Sequence, residues 1–255
     1  MPLNISGSVV DSTLVKSIQT THIINRGLKL HLDASSTGSY VGSGTGWYDL
    51  TGNLYNGTLT NGPTYSSVNS GCIVFDGTND YVTTGDVDFG STAEFTLETW
   101  VYFTAFNSNN CIMKKNTEND YWPAISMYVD NTGKFVGYYS SQSYGSCLEG
   151  ALSSTGVVTT GVWNHLIFSK GSGGYTQMKL YKNGVSQSYT NYLYGSHINE
   201  VCNSSRPLII GIDFDTPNYI VPLNGKIAVV RAYNRQLSED EVLINYNIQK
   251  SRFGL

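Results

Sequence analysis

The chain has 255 residues, 40% of them apolar and only 13% charged, with a net charge of −4 and no run of Lys or Arg. That balance argues against a phosphate-backbone partner, and no apolar stretch reaches the about 20 residues of a membrane helix. The polar surface has to be built from Ser, Thr, Asn, Gly and Tyr, which are the residues of strands and turns rather than of helix exteriors.

Residues 1–26 lack the glycine-bounded rhythm of the remainder and read as an N-terminal arm or anchor ahead of one domain, 27–255. All-β chains of this length are commonly single domains. The first residues, Met1 to Gly7, show no basic-then-apolar leader. Leu28 to Leu32 is the first strand, with Leu28, Leu30 and Leu32 on one face and Lys29 and His31 on the other. A Gly/Ser loop then leads to Trp47–Leu50 and Gly52–Gly57, and Cys72–Gly77 and Asp80–Thr84 form two short strands around a tight turn.

Phe95 to Phe103 places Phe95, Leu97, Val101 and Phe103 on one face and Glu98, Trp100 and Tyr102 on the other. Such a strand is central and covered on both sides. Further strands are predicted near Ile112–Lys114, Ala124–Val129, Lys134–Tyr139 and His165–Ser169. Gln177–Lys182 and Val185–Tyr189 flank Asn183-Gly184, the strongest short-range hairpin signal. After a last strand, Gly225–Tyr233, the capping box Ser238-Glu-Asp-Glu241 opens a helix. Leu237 and Val242 stand at its staple positions, and Val242, Leu243 and Tyr246 form its apolar stripe.

In order and spacing, Phe95–Val101, Trp163–Leu166, Leu180–Gly184, Leu208–Gly211 and Leu223–Ile227 resemble the concanavalin A-like, laminin-G-like domain shared by many lectins and surface modules. The resemblance covers about residues 27 to 255. It implies an all-β, two-sheet antiparallel jelly-roll sandwich with one short C-terminal helix, a concave face, and rim loops that carry sugar and calcium sites in lectin relatives. The closing segment, Tyr233 through Leu255, is similar to versions of this domain in tailed-phage virion proteins. That similarity implies a non-enzymatic virion surface protein, a decoration or fibre component, docked on other virion proteins through its arm and oligomeric in the particle. Two alternatives stay open: a purely architectural capsid or tail protein without glycan binding, and a secreted adhesion module.

No cofactor is required by this reading, and calcium is the one ion with candidate ligands. Many relatives carry an acidic pair in the last strand, where this chain has Ala228 and Val229. Pentraxin-like relatives hold calcium on a loop that corresponds to Asn116–Asp120, so Glu118, Asn119 and Asp120 are candidates, with Asp213 and Asp215 as helpers. Calcium wants six to eight oxygens, and ordinary Asn/Asp turn chemistry accounts for both clusters equally.

Glucanases on this fold set two carboxylates about 5 Å apart when they retain configuration. Glu94 and Glu98 share a face but stand roughly 13 Å apart along a strand, and Glu98 reads as a solvated or hydrogen-bonded sandwich residue. None of the histidines 22, 31, 165 and 197 stands in a catalytic order, so no catalytic residue is expected. Cys72, Cys111, Cys147 and Cys202 are widely spaced and read as idle thiols, with a Cys147–Cys202 bridge as the other possibility.

Tyrosine is the suggestive residue, with 19 copies. The segments holding Tyr138, Tyr139 and Tyr144, and Tyr189, Tyr192 and Tyr194, have the Tyr/Ser/Gly/Asn composition of antibody binding loops. Tyr gives rigid amphipathic contact area there at low entropic cost. These six are the candidate glycan contacts, and plain strand propensity is the competing explanation.

Overall fold

The computed structural model describes residues 22–90, 94–118, 123–140, 148–172, 174–195, 204–216 and 219–255. The chain opens with β1 (Leu28–Asp33), β2 (Gly46–Trp47), β3 (Gly57–Thr60), β4 (Thr64–Ser66), β5 (Cys72–Asp76) and β6 (Tyr81–Thr83). It continues with β7 (Phe95–Phe103), β8 (Asn109–Asn116), β9 (Pro123–Asp130), β10 (Phe135–Ser140), β11 (Leu148–Ser153) and β12 (Trp163–Lys170). Next come β13 (Met178–Lys182), β14 (Val185–Gln187), β15 (Tyr189–Tyr194), β16 (Leu208–Ile210), β17 (Phe214–Thr216), β18 (Tyr219–Ile220) and β19 (Asn224–Tyr233). One helix, α1 (Glu239–Gln249), and a final turn, Lys250–Phe253, close it.

The strands form two antiparallel sheets. One runs β14-β13-β12-β7-β19-β5-β4 with β1 also paired to β19; the other runs β15-β11-β10-β9-β8-β16-β6-β3-β2. Strands β17 and β18 make a separate small ribbon. Between the sheets lies an apolar interior that includes Phe95, Leu97, Val101, Phe103, Met127, Phe135, Phe168 and Ile227, all with no exposure. Phe95 meets the Phe168 ring edge-on at 5.2 Å. The two halves of the predicted β5/β6 pair lie in different sheets, so the turn at Gly77 carries the chain across the sandwich instead of closing a hairpin.

The first sheet is covered on its second face as well, as the alternation in β7 requires. Trp100 stacks on Phe253 at 4.1 Å and on Tyr246 at 5.8 Å, which seats α1 and the last turn against β7, β12 and β19. The capping box is present in full, Ser238 accepting from the Glu241 amide and Glu241 accepting from the Ser238 amide. Leu237 and Val242 are buried together beneath the helix.

Leu243, however, is 45% exposed, and the helix turns Val242 and Asn245 inward instead. The reason is the carboxylate of Glu98, fully buried on the face below. It accepts from Arg231 at 2.6 Å, from Asn245 Nδ2 at 2.8 Å and from the Tyr233 hydroxyl at 3.3 Å, and it sits 2.9 Å from His165 Nε2. Glu98 is therefore not a solvated residue. Burial alone would raise its pKa, but Arg231 and the hydrogen bonds from His165 and Asn245 override that and hold it at about 2.

Leu28 also departs from its expected face. A bulge between Leu28 and Leu30 shifts the register of β1 on β19, so Leu28 packs under the helix while Leu30 and Leu32 enter the main core. The Asn183-Gly184 hairpin is as predicted, with φ of 52° and 78° at its two turn residues. The stretch after it, read as a tyrosine-rich loop, is the edge strand β15 paired to β11.

No helix among the described residues is long and apolar enough to cross a membrane. Cys72 and Cys111 are free and buried, whereas Cys147 and Cys202 lie outside the described residues. Of the arm, residues 1–21 lie outside them too; Ile24 is tied to the body, its amide donating to Asn245 Oδ1 at 2.8 Å.

Two measurements follow from this buried charge. Glu98→Gln leaves Arg231 without its counter-ion in the interior, and urea unfolding should show a loss of about 3–5 kcal/mol; a loss below about 1 kcal/mol would remove the cluster from its structural role. Half-buried His31 is held down to about 3, by burial first and by Arg231 second, against Asp33 and Glu98 which pull the other way. Its folded pKa lies below the ordinary 6.5, so the unfolded chain binds the extra proton. The stability it contributes is whole above pH 6.5 and falls as the pH drops toward 3. Glu98 adds a loss of the same sign only below about 4.5. His31→Gln should therefore flatten the stability profile between pH 6.5 and 4.5, and an unchanged slope there would contradict it.

Candidate functional site

The outward face of β9, β10, β11 and β15 collects the aromatic side chains that sequence reasoning singled out. In β10 the inward residues are Phe135, Gly137 and Tyr139, so Val136 and Tyr138 face out. Register then sets Tyr138 opposite Gly150 of β11, and Gly150 opposite Tyr192 of β15. One step along the same strands, Val136 stands opposite Leu152, and Leu152 opposite Thr190.

Gly150 shapes this face. A Cβ there would lie 2.2 Å from Cδ1 of Tyr138, so the tyrosine ring rests directly over the glycine. Tyr128 of β9 flanks it at 5.8 Å and 42°, and Tyr192 meets it at 5.5 Å and 67°. The Tyr128 hydroxyl bonds that of Tyr138, and burial raises both pKa values, so both stay protonated donors. Tyr192 and Tyr194 are 39% and 54% exposed. The result is an aromatic step with one ring flat and one upright, set in an edge of the sheet.

Beside it runs a groove of about 510 Å3 lined by Lys134, Leu152, Ser154, Thr155, Ser188 and Thr190. Five of the eight lining side chains, counting Ser153, carry aliphatic hydroxyls. A second hollow, about 340 Å3, lies at the start of α1, and in its wall Arg235 and Glu241 satisfy each other in a two-pronged ion pair at 2.6 and 2.8 Å.

The other candidates separate. Tyr139 has no exposure, faces the core and donates to Glu149, so it cannot touch a ligand; it is one residue out of phase with Tyr138. Tyr189 packs against the core and gives its hydroxyl to the Met178 carbonyl, offering only part of its ring to the groove. Tyr144 lies outside the described residues. Tyr138, Tyr139 and Tyr189 stand on strands at the predicted ranges, and Tyr192 and Tyr194, expected in a loop, continue the strand from Tyr189.

For calcium, Glu118 is exposed and accepts from the Ser205 amide and, at 3.2 Å, from its hydroxyl, while Asp213 pairs with Lys114. Each oxygen set thus already has donors. Asn119 and Asp120 lie outside the described residues, as does the side chain of Asp215. Among the described residues no group of three or more His, Cys, Asp or Glu side chains could hold a metal. Sequence reasoning missed Gly150, Lys134 and Tyr128; the only available signal was the period of two running through Lys134, Val136 and Tyr138.

The family model of the concanavalin A-like lectin/glucanases superfamily matches residues 76–243. No curated protein sequence matches the chain. Among solved structures, domain 4 of the extracellular GH43 arabinanase of Geobacillus stearothermophilus, in complex with arabinotriose, superposes with a TM-score of 0.62 at 18% identity. That match covers 89% of this chain and 100% of that one. The ligand-binding domain of botulinum neurotoxin serotype D, in complex with N-acetylneuraminic acid, gives 0.63 at 13% identity, covering 88% of this chain and 51% of that one. The binding domain of Paraclostridial Mosquitocidal Protein 1 gives 0.59 at 15%, covering 87% and 52%. The chain thus spans about half of the two toxin domains and the whole of the arabinanase domain. At these identities the likeness is one of fold.

A pair of glycine substitutions tests the geometry. Gly137→Ala drives a Cβ to 2.4 Å from the Phe168 ring in a closed core and should cost about 1–3 kcal/mol. Gly150→Ala meets the Tyr138 ring, which can swing outward, and approaches the Gly137 carbonyl oxygen at 3.2 Å, so its cost in thermal unfolding should be smaller. Equal costs would mean Tyr138 is as confined as Phe168.

Proposed function

The chain belongs to the concanavalin A-like lectin/glucanases superfamily, and from that premise we propose that it is a non-catalytic glycan-binding module whose site is the aromatic step of Tyr138, Tyr192 and Tyr194 with the adjoining hydroxyl-lined groove. The observation that carries this reading is the Tyr138 ring laid over Gly150 beside that groove. A flat aromatic face suits the C–H face of a pyranose, and the Ser and Thr hydroxyls both donate to and accept from sugar hydroxyls. Two superposable domains carry a sugar in their solved structures, arabinotriose and N-acetylneuraminic acid.

Binding is favoured over hydrolysis by the position of the carboxylates. Glycoside cleavage needs two of them across the bond, and among the described residues no Asp or Glu lines this groove. Glu98 and Glu149 are fully buried.

We place the module on a virion surface, where the tailed-phage resemblance of Tyr233 through Leu255 supports it and residues 1–26 would dock on neighbouring virion proteins. Deleting that arm should prevent particle incorporation while the sandwich stays folded; normal incorporation would count against docking through the arm, and absence of the intact chain from particles would favour the secreted adhesion alternative. A glycan array probed with the intact chain tests the binding site. The variant Tyr138→Ala/Tyr192→Ala should lose at least tenfold in affinity, about 1.4 kcal/mol, while still unfolding in one cooperative transition. A purely architectural role would show as no glycan bound at all, and equal binding by the double variant would move the site elsewhere.

A further inference from the structure

The groove has a charge pattern that its sugar-facing role does not by itself require. Lys114 pairs with Asp213, Lys115 with Asp86 and Lys179 with Glu239. Half-buried Lys134 makes no ion pair of this kind among the described residues, although its charge is one of the influences that hold the Asp130 carboxyl below its ordinary pKa. Asp130 is its nearest acidic neighbour in sequence, and that carboxylate is engaged in its own turn. It accepts from the Thr132 amide at 2.8 Å, the Thr132 hydroxyl at 2.6 Å and the Lys134 amide at 3.0 Å. On a chain of net charge −4, an open groove whose described lining holds hydroxyls and one cation, with Asp130 engaged in its own turn at the end of it, is locally positive.

Resting on the glycan reading above, we infer that the ligand is an acidic oligosaccharide, held with a carboxylate-bearing sugar in the groove beside Lys134 and a sugar further along the same chain on the Tyr138–Tyr192 step. Register sets the spacing of the two positions. The Leu152–Thr190 row that lines the groove lies two residues, about 7 Å, from the Gly150–Tyr192 row on β11 and β15, and Lys134 lies four residues, about 13 Å, from Tyr138. The two contacts are thus set for different sugars of one chain. A neutral sugar entering the groove would cover the ammonium without replacing its water by an opposite charge, whereas a carboxylate compensates it directly. The positive groove also draws an anionic chain selectively to this face of an acidic protein.

The experiment uses the intact chain on an array of bacterial surface polysaccharides and uronate oligosaccharides, each acidic glycan printed beside its carboxyl-reduced counterpart. Affinities of the hits are then measured at low and physiological salt. Binders should weaken about tenfold on carboxyl reduction and on Lys134→Gln, the two losses should not add, and Lys134→Arg should restore binding. Thermal unfolding of Lys134→Gln should match the parent, which separates a binding effect from a folding one. Equal binding of reduced and acidic forms, or indifference to Lys134→Gln, overturns the acidic assignment and leaves the aromatic site standing. If no glycan of either form binds, the glycan reading itself falls and this inference with it.

Discussion

Strand pleat sends neighbouring side chains to opposite faces of a sheet, and in β10 that constraint separates a structural tyrosine from a contact tyrosine. Tyr139 points between the sheets, where it bonds Glu149 and meets Phe95 edge-on at 6.3 Å. Tyr138 points out and lies over Gly150. The inward row closes the core only because Gly137 leaves room for Phe168, and the outward row is then held in place by that core. A slip of one residue would bury the binding ring and expose the packing ring. The backbone of the site is thus anchored by the interior behind it, which suits contacts made by ring faces.

The opposite side of the molecule resolves a different problem. A sheet covered by sandwich on one face and helix on the other gives its polar groups no water. Glu98 is therefore met by Arg231, His165, Asn245 and Tyr233 at once. Such a cluster adds little net stability compared with apolar packing, but removing one partner is costly. Arg231 extends it to Gln249 at 2.7 Å, and Arg252 joins Asp33 at 2.8 Å, so the last two turns of the chain are tied to β1 and β19. The same arrangement makes the acidic residues here unsuited to sugar chemistry: their lone pairs are already engaged.

Charge is distributed with the same separation. The carboxylates of the described residues serve caps, turns and ion pairs, as Glu241 does for Arg235 and Asp130 for its own turn. The groove beside β15 is left with hydroxyls and Lys134. Polar but uncharged walls hold oriented hydrogen-bonding groups without a large desolvation cost, and one cation then sets the sign of what fits.

The sequence alone determined the architecture, because strand alternation, the Asn183-Gly184 turn and the Ser238–Glu241 capping box are local signals that tertiary packing here reinforces. It also singled out Tyr138 and Tyr192 by composition. It could not distinguish them from Tyr139 and Tyr189, since Val136 and Tyr138 on the outer side of β10 are as apolar and aromatic as Phe135 and Tyr139 on the inner side, which erases the polar–apolar contrast that marks a surface. Nor did it foresee that β5 and β6 belong to different sheets, that a bulge turns Leu28 toward the helix, or that the segment at Tyr189–Tyr194 is an edge strand. Those outcomes rest on pairing between residues far apart in the chain. Only that pairing sets Gly150 beneath Tyr138 and Leu152 between Val136 and Thr190, and so only the tertiary structure could decide which tyrosines make a site.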